Sequence, residues 1–120
     1  MGTRVNMTFD LQMYLFKDED SYVVYCPSLD MSAYGNTEEQ AKKSFEDILA
    51  ITVQYWINKN TLVKDLQKHG WKIKSKNQKK IKEPSFSELY TMNQTFRELV
   101  DSKKEYFKYD KEVELPALAS

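Results

Sequence analysis

Apolar and polar residues alternate along the first segment of the chain. The apolar residues occupy odd positions, namely Val5, Met7, Phe9, Leu11, Met13 and Leu15, and the even positions hold Asn6, Thr8, Asp10, Gln12 and Tyr14. A period of two is typical of a β-strand, whose successive side chains point to opposite faces of a sheet. We therefore predict a long strand with one face on a core and the other face in water.

Two shorter strands are predicted after it. The polar residues 17–21 indicate a turn, and residues 22–26 are mostly β-branched or aromatic, which favours a strand. Pro27 lacks a backbone N–H and therefore ends or bends this strand. Leu29, Met31 and Ala33 then alternate with more polar residues. Because the connections are short, the three strands are expected to form an antiparallel meander.

The hydrophobic period then changes to that of a helix. Gly35 and Asn36 interrupt the third strand, and residues 37–40 form a capping box in which the side chains of Thr37 and Gln40 satisfy free backbone N–H groups. The predicted inward side of the long helix consists of Ala41, Phe45, Ile48, Leu49, Thr52 and Trp56. Residues 58–60 interrupt this helix.

A short helix and a further strand complete the first part of the chain. Thr61 is expected to cap the helix, Gly70 to end it in a left-handed conformation, and Leu62, Val63 and Leu66 to face inward. Residues 71–74 alternate again and predict a fourth, edge strand whose lysines guard its exposed side. The predicted order is β-β-β-α-α-β, which is an α+β fold.

The remaining chain divides into a connector and an extension. Residues 1–74 form the predicted α+β domain, residues 75–84 a Lys-rich connector, and residues 85–120 a C-terminal extension that packs on the domain or on another subunit. Within the extension we expect one or two short helices around Asn93 and a β-like segment that stops at Pro116.

The net charge of zero conceals three differently charged segments. Among the 120 residues, 18 are Lys or Arg and 18 are Asp or Glu, which argues against a protein that coats nucleic acid through its overall charge. Residues 1–71 carry a net charge of −3, residues 72–82 carry +6 and residues 83–120 carry −3. No segment approaches the roughly 20 apolar residues that span a bilayer, so a cytoplasmic protein without membrane contact is expected.

Few residue types suited to catalysis are present. Cys26 is the only cysteine and His69 the only histidine, so neither a disulfide framework nor a zinc cluster is expected. His69 directly precedes the capping Gly70. The negative end of the helix dipole stabilises a cationic side chain at this position. A two-metal nuclease needs three or four converging carboxylates, whereas Asp10 and Glu46 occupy separate elements. We therefore predict no enzymatic activity, no catalytic residue, no metal and no cofactor.

The basic segment offers a possible nucleic-acid contact. Trp71 is followed by six lysines, Lys72, Lys74, Lys76, Lys79, Lys80 and Lys82. An aromatic ring can stack on a base while lysines contact phosphates. The run contains no arginine, so bidentate recognition is absent and any contact with DNA or RNA would be weak and salt-dependent. A solvated linker is the simpler interpretation of the same residues.

Residues 21–30 and 33–41 together resemble the signature of the HicB-like antitoxins. The resemblance runs over residues 5–73 and is carried by Pro27 at the end of a strand, Gly35 and Thr37 before the helix, and Ala41 within it. It implies a partial ribonuclease H-like fold. It also implies an antitoxin that binds a small, RNA-cleaving HicA-like toxin and covers its catalytic histidine.

Many relatives in that family also repress their own operon through a C-terminal DNA-binding motif. Residues 85–120 show neither a ribbon-helix-helix nor a helix-turn-helix pattern. The alternative function is therefore a nucleic-acid-binding module or an autorepressor that uses residues 71–82. A homodimer or a higher homo-oligomer is expected in either case, because strand edges and the aromatic residues Tyr106, Phe107 and Tyr109 invite contact between copies.

Overall fold

The computed structural model describes residues 6–73 and 81–116, with side chains described for residues 9–73 and 81–113. The elements are β1 (Asn6–Asp18), β2 (Ser21–Cys26), β3 (Met31–Gly35), α1 (Glu38–Asn58), α2 (Leu62–Lys68), β4 (Lys72–Ile73), β5 (Ile81–Lys82), α3 (Phe86–Met92), α4 (Gln94–Asp101) and β6 (Tyr106–Pro116). The predicted α+β class and the order of its elements are confirmed. Among the described residues, no helix has both the length and the apolar character that crossing a bilayer requires.

The main sheet contains four antiparallel strands in the order β3-β2-β1-β6. Its further strand is β6, whose partners run from Asn6↔Pro116 to Phe16↔Tyr106 along β1. The lysine-flanked β4, which was predicted as the fourth strand, instead pairs with β5 in a separate two-stranded sheet. In the described part of the chain β4 and β5 pair over two residues each, whereas eleven residues of β6 pair with β1 and complete the main sheet.

The first core lies between the sheet and α1. Phe9, Leu11, Met13 and Leu15 of β1 are buried against it, as the alternation predicts, and Leu11 and Met13 are fully buried. The buried positions of α1 are Ala41, Phe45, Leu49 and Val53. Two predicted inward residues, Ile48 and Val63, are instead exposed, because each lies beside the apolar stripe of its helix rather than within it.

The signature residues shape the junctions around this core. β2 ends at Cys26, directly before Pro27. The Thr37 hydroxyl accepts a hydrogen bond from the Gln40 backbone N–H at 3.1 Å and starts α1. A Cβ atom at Gly35 would collide with the backbone nitrogen of Ala41, so only glycine permits this close approach of strand and helix.

A second core covers the opposite face of the sheet, which was predicted to be in water. Tyr14 and Tyr25 are buried there against Leu89 of α3 and Phe96 of α4. The rings of Tyr14 and Phe96 have centroids 5.0 Å apart. The prediction of a wet face was wrong because it considered β1 alone, and the helices that cover Tyr14 lie more than 70 residues later in the chain.

Candidate functional site

The basic segment contributes two described lysines to the β4–β5 hairpin. Lys72 and Lys82 face each other in the strand register, and both are exposed. The ammonium group of Lys72 lies 3.6 Å from the carboxylate of Glu88. Lys74, Lys76, Lys79 and Lys80 lie outside the described residues. The hairpin therefore brings together two of the six lysines proposed as phosphate contacts.

Trp71 lies inside the first core. Its ring is only 3% exposed and contacts Phe9 edge to face, with centroids 5.1 Å apart. The indole N–H donates a 2.7 Å hydrogen bond to the backbone carbonyl of Ser28. The ring is therefore buried with its polar edge bonded to the protein, and it is not presented to a nucleic-acid base.

A partly buried polar network directly after β5 is centred on Glu83. The Gln12 backbone N–H donates to its carboxylate at 2.9 Å, and the buried Ser28 hydroxyl donates to the same oxygen. The Gln12 side-chain amide donates to Glu83 at 3.3 Å and to the Pro84 carbonyl at 3.0 Å. Burial raises the pKa of Glu83. Glu83 is not among the predicted site residues because it follows the last lysine of the predicted connector, where no local pattern indicates burial.

Three of the residues considered for catalysis, Cys26, Glu46 and His69, take part in structural contacts, and Asp10 is exposed on β1. Cys26 is fully buried beside Ser28, and burial raises the pKa of its thiol to about 12, so it stays protonated and non-nucleophilic. Glu46 accepts a 2.8 Å hydrogen bond from Lys111, which lowers the pKa of its carboxyl. His69 caps the C-terminus of α2 through its backbone, next to Gly70 at a φ of +88°. Within residues 6–73 and 81–116, no group of three His, Cys, Asp or Glu residues could hold a metal ion.

A different surface combines a free strand edge with exposed apolar side chains. β3 is one edge of the sheet, and the next element, α1, packs against it. Three α1 residues that are spaced three and four positions apart expose apolar side chains: Ile48, Ile51, which is 71% exposed, and Tyr55. We call the β3 edge and these three residues the β3–α1 surface.

Contacts of α1 show which way this stripe faces. Lys42 lies over the ring of Tyr109 and Glu46 bonds to Lys111, so one side of α1 faces β6. At 100° per residue, the stripe of Ile48, Ile51 and Tyr55 lies on the opposite side, towards β3. An open depression of about 440 Å³ on that side is lined by Tyr34, Gly35, Asn36, Ser21, Gln40, Lys43, Ser44 and Asp47. The depression joins the end of β3 to the same side of the helix.

Charged residues of both signs border this surface. Asp47 is exposed and lines the depression, whereas Glu38 in the first turn of α1 lines a different depression beside Phe16 and Phe107. The one basic residue lining the depression is Lys43, whose ammonium group lies 3.7 Å from the carboxylate of Asp47. The surface thus offers unpaired backbone groups and an apolar stripe to a partner, bordered by the Lys43–Asp47 ion pair. A second apolar stripe at helical spacing was the signal that could have revealed it in the sequence.

Comparisons of the chain with protein-family models, with curated proteins and with solved structures find no match. The likeness to HicB-like antitoxins therefore rests on the signature within residues 21–41.

Proposed function

We propose that the chain is a HicB-like antitoxin, or an orphan relative of that family, which binds a small RNA-cleaving, HicA-like toxin and blocks it sterically. The observation that carries the proposal is the β3–α1 surface, with its free strand edge beside the exposed Ile48, Ile51 and Tyr55. The signature residues Gly35, Thr37 and Ala41 build the junction that places this edge next to α1.

The chemistry of the surface suits a small basic protein. An added strand can satisfy the free N–H and C=O groups of β3, while its side chains contact the apolar stripe. Residues 1–71, which contain this surface, carry a net charge of −3. A protein that cleaves RNA must bind a polyanion and is expected to be basic, so the opposite net charges would speed its association with this part of the chain.

Binding rather than catalysis agrees with the state of the polar residues. The thiol of Cys26 is buried and protonated, and Glu46 is engaged by Lys111. Inhibition by covering needs no reactive group on the antitoxin. We propose that the protein acts without metal or cofactor, and that it does so as a homodimer.

A nucleic-acid contact through the hairpin is the second candidate, supported by the facing lysines Lys72 and Lys82. Because Trp71 is buried, this contact would depend on charge alone. Filter binding of RNA and DNA over a salt series tests it, since the affinity of a contact made by several lysines falls steeply with salt. Absence of binding at low salt would exclude this candidate.

The antitoxin proposal is tested by co-expression with the product of an adjacent small reading frame that encodes a basic, histidine-containing protein. We expect the wild-type chain to restore growth and to bind that product in a pull-down. Ile51→Asp should weaken binding by about 2 kcal/mol, or roughly thirtyfold, because it places a charge in the apolar stripe.

Met92→Asp is the matched control for this substitution. Met92 is 51% exposed on α3, on the opposite face of the sheet, so the change adds the same charge away from the β3–α1 surface. Its binding should equal that of the wild type. If the wild-type chain neither binds nor neutralises the small protein, the antitoxin proposal is refuted. If Ile51→Asp binds normally, the β3–α1 surface is not the site.

A further inference from the structure

The outer edge of β6 is the longest unpaired edge of the sheet. All eleven residues of β6 pair with β1 on the inner side, and no other strand in the described part of the chain pairs with the outer side. The opposite edge, β3, contains only five residues. Near the start of β6, Tyr106 and Phe107 expose aromatic side chains, with Phe107 64% exposed. Such an edge is a template for another strand.

Charges of both signs alternate along this edge. Lys108, Asp110 and Glu112 are exposed and point to one face of the sheet, and Lys111 points to the other. Natural proteins often guard an edge with lysines, which repel one another across a paired edge. An edge that carries both lysines and acidic residues can instead pair with a second copy of itself. When the two copies run antiparallel, residues of opposite charge can lie opposite each other.

Symmetry limits the registers in which two β6 strands can pair. A two-fold axis perpendicular to the sheet keeps each face of the sheet continuous across the two copies. An even-numbered residue must then lie opposite an even-numbered residue, and an odd-numbered residue opposite an odd-numbered one. If the axis passes through Asp110, the two Asp110 carboxylates face each other. If it passes through Lys111, the two Lys111 side chains face each other and Asp110 faces Glu112.

An axis through Tyr109 avoids these repulsions. It places Lys108 of each copy opposite Asp110 of the other, which gives two unlike pairs. In the same register Tyr106 lies opposite Glu112, and Phe107 lies opposite Lys111, whose aliphatic chain can cover the exposed ring. This register therefore combines opposite charges with burial of the exposed aromatic residues.

We propose that a second copy of this chain occupies the outer edge of β6, in the register centred on Tyr109, and extends the sheet across the dimer. The charge pattern of β6 selects its own copy as the partner, whereas β3 carries no charged residue that could fix a register. The dimer buries the edge opposite to β3. Each copy thus keeps its β3–α1 surface free, and the proposal does not depend on the identity of the partner bound there.

Sedimentation velocity of the full chain over a concentration series tests this interface by exchanging charges. The wild type should be dimeric. Lys108→Asp and Asp110→Lys should each weaken the dimer roughly tenfold, because each turns two unlike pairs into two like pairs. An equimolar mixture of the two variants should form a heterodimer, since aspartates in one copy then face lysines in the other. The double variant should dimerise like the wild type.

Two substitutions serve as matched controls. Glu112→Lys reverses a charge on the same strand without touching the Lys108–Asp110 pairs and should leave the dimer intact. A register centred on Asp110 predicts instead that this variant dissociates. Ser32→Lys adds a charge to the exposed face of β3 and should have no effect. A thermal melt of each variant establishes that it is folded, and if one single variant does not fold, the other and the controls decide.

Three results would overturn the proposal. The first is a wild type that stays monomeric over the whole concentration series. The second is a dimer that Ser32→Lys disrupts and the β6 variants do not. The third is failure of the mixture and of the double variant to restore association, which would show that the two charges do not face each other.

Discussion

Glu83 is a carboxylate that the fold holds with neutral donors. The Ser28 hydroxyl and the Gln12 backbone and side-chain amides contact it, and in the described part of the chain no Lys, Arg or His forms an ion pair with it. Asp110 and Cys26 lie near enough to interact with it electrostatically, and neither brings positive charge. Burying a carboxylate without a counter-ion favours its neutral form.

This residue predicts a specific dependence of stability on pH. Because burial raises the pKa of Glu83 in the folded state, the folded protein holds this proton more tightly than the unfolded chain. The contribution of Glu83 to the free energy of unfolding is therefore greatest below its ordinary pKa and decreases as the pH rises through the folded-state pKa. Urea unfolding of the wild type and Glu83→Gln, from about pH 4 to pH 7, measures it.

Glu83→Gln removes this titration, so the wild type should lose stability relative to the variant as the pH rises. Other carboxyl groups titrate in both proteins, and their effects cancel in the difference. Ser28→Ala removes a donor that lowers the pKa of Glu83 and should extend the loss to higher pH. A difference between wild type and Glu83→Gln that is constant with pH, or that has the opposite slope, would contradict the prediction.

At the scale of elements, α3 and α4 act as one unit that covers the sheet. Ser85 and Glu88 form a capping box at the start of α3, and the Asn93 side chain caps α4. Phe96 is fully buried between Tyr14 of β1 and Phe86 of α3, with ring centroids 5.0 and 5.3 Å away. This one side chain therefore joins both helices to the sheet.

Phe96→Ala is expected to cost about 3 to 5 kcal/mol in the free energy of unfolding, because it leaves a cavity in the second core. Phe107→Ala removes the same side chain from an exposed position and should cost less than about 0.5 kcal/mol. Chemical denaturation of both variants, at a concentration where the chain is monomeric, gives the comparison. Similar losses in the two variants would show that the second core does not stabilise the fold.

Local pattern predicted the elements well and their partners poorly. The three N-terminal strands, the capped start of α1 and the Gly70 terminus of α2 all follow from signals within a few residues, and the structure confirms them. The burial of Tyr14 and the pairing of β6 with β1 depend on residues far apart in sequence. The spacing of hydrophobic residues within one segment does not indicate which distant segment will pack against it.

The candidate sites were likewise predictable where they depend on local sequence and unpredictable where they depend on tertiary contacts. The basic run was evident from composition, but the burial of Trp71 was not, because an aromatic residue in a short alternating segment fits a core as well as a surface. Ile48 was assigned to the inward stripe because it lies three residues after Phe45. The same spacing is compatible with a position at the edge of that stripe, where the side chain is exposed. Only the contacts of Lys42 and Glu46 with β6 establish which side of α1 is free.

The whole molecule is closed by a pairing between distant segments. β1 and β6 pair from Phe16↔Tyr106 to Asn6↔Pro116, so the paired residues are 90 to 110 positions apart. Such a pairing requires a long loop to close, and the entropy lost on closure precedes the favourable contacts between the strands. Folding is therefore slow. We expect refolding from urea to take milliseconds to seconds rather than microseconds. Stopped-flow fluorescence measures it, because Trp71 becomes buried against Phe9 of β1.

The same pairing orders events during synthesis. β1 is synthesised about 5 to 20 s before β6, at ordinary rates of chain elongation. During that interval residues 14–18 of β1 can pair with β2, and the edge that will meet β6 has no partner. A nascent chain is therefore open along the middle of its future sheet, where a chaperone or a neighbouring nascent chain can bind. β1 is the first strand to be synthesised, and its second edge is among the last to find its partner.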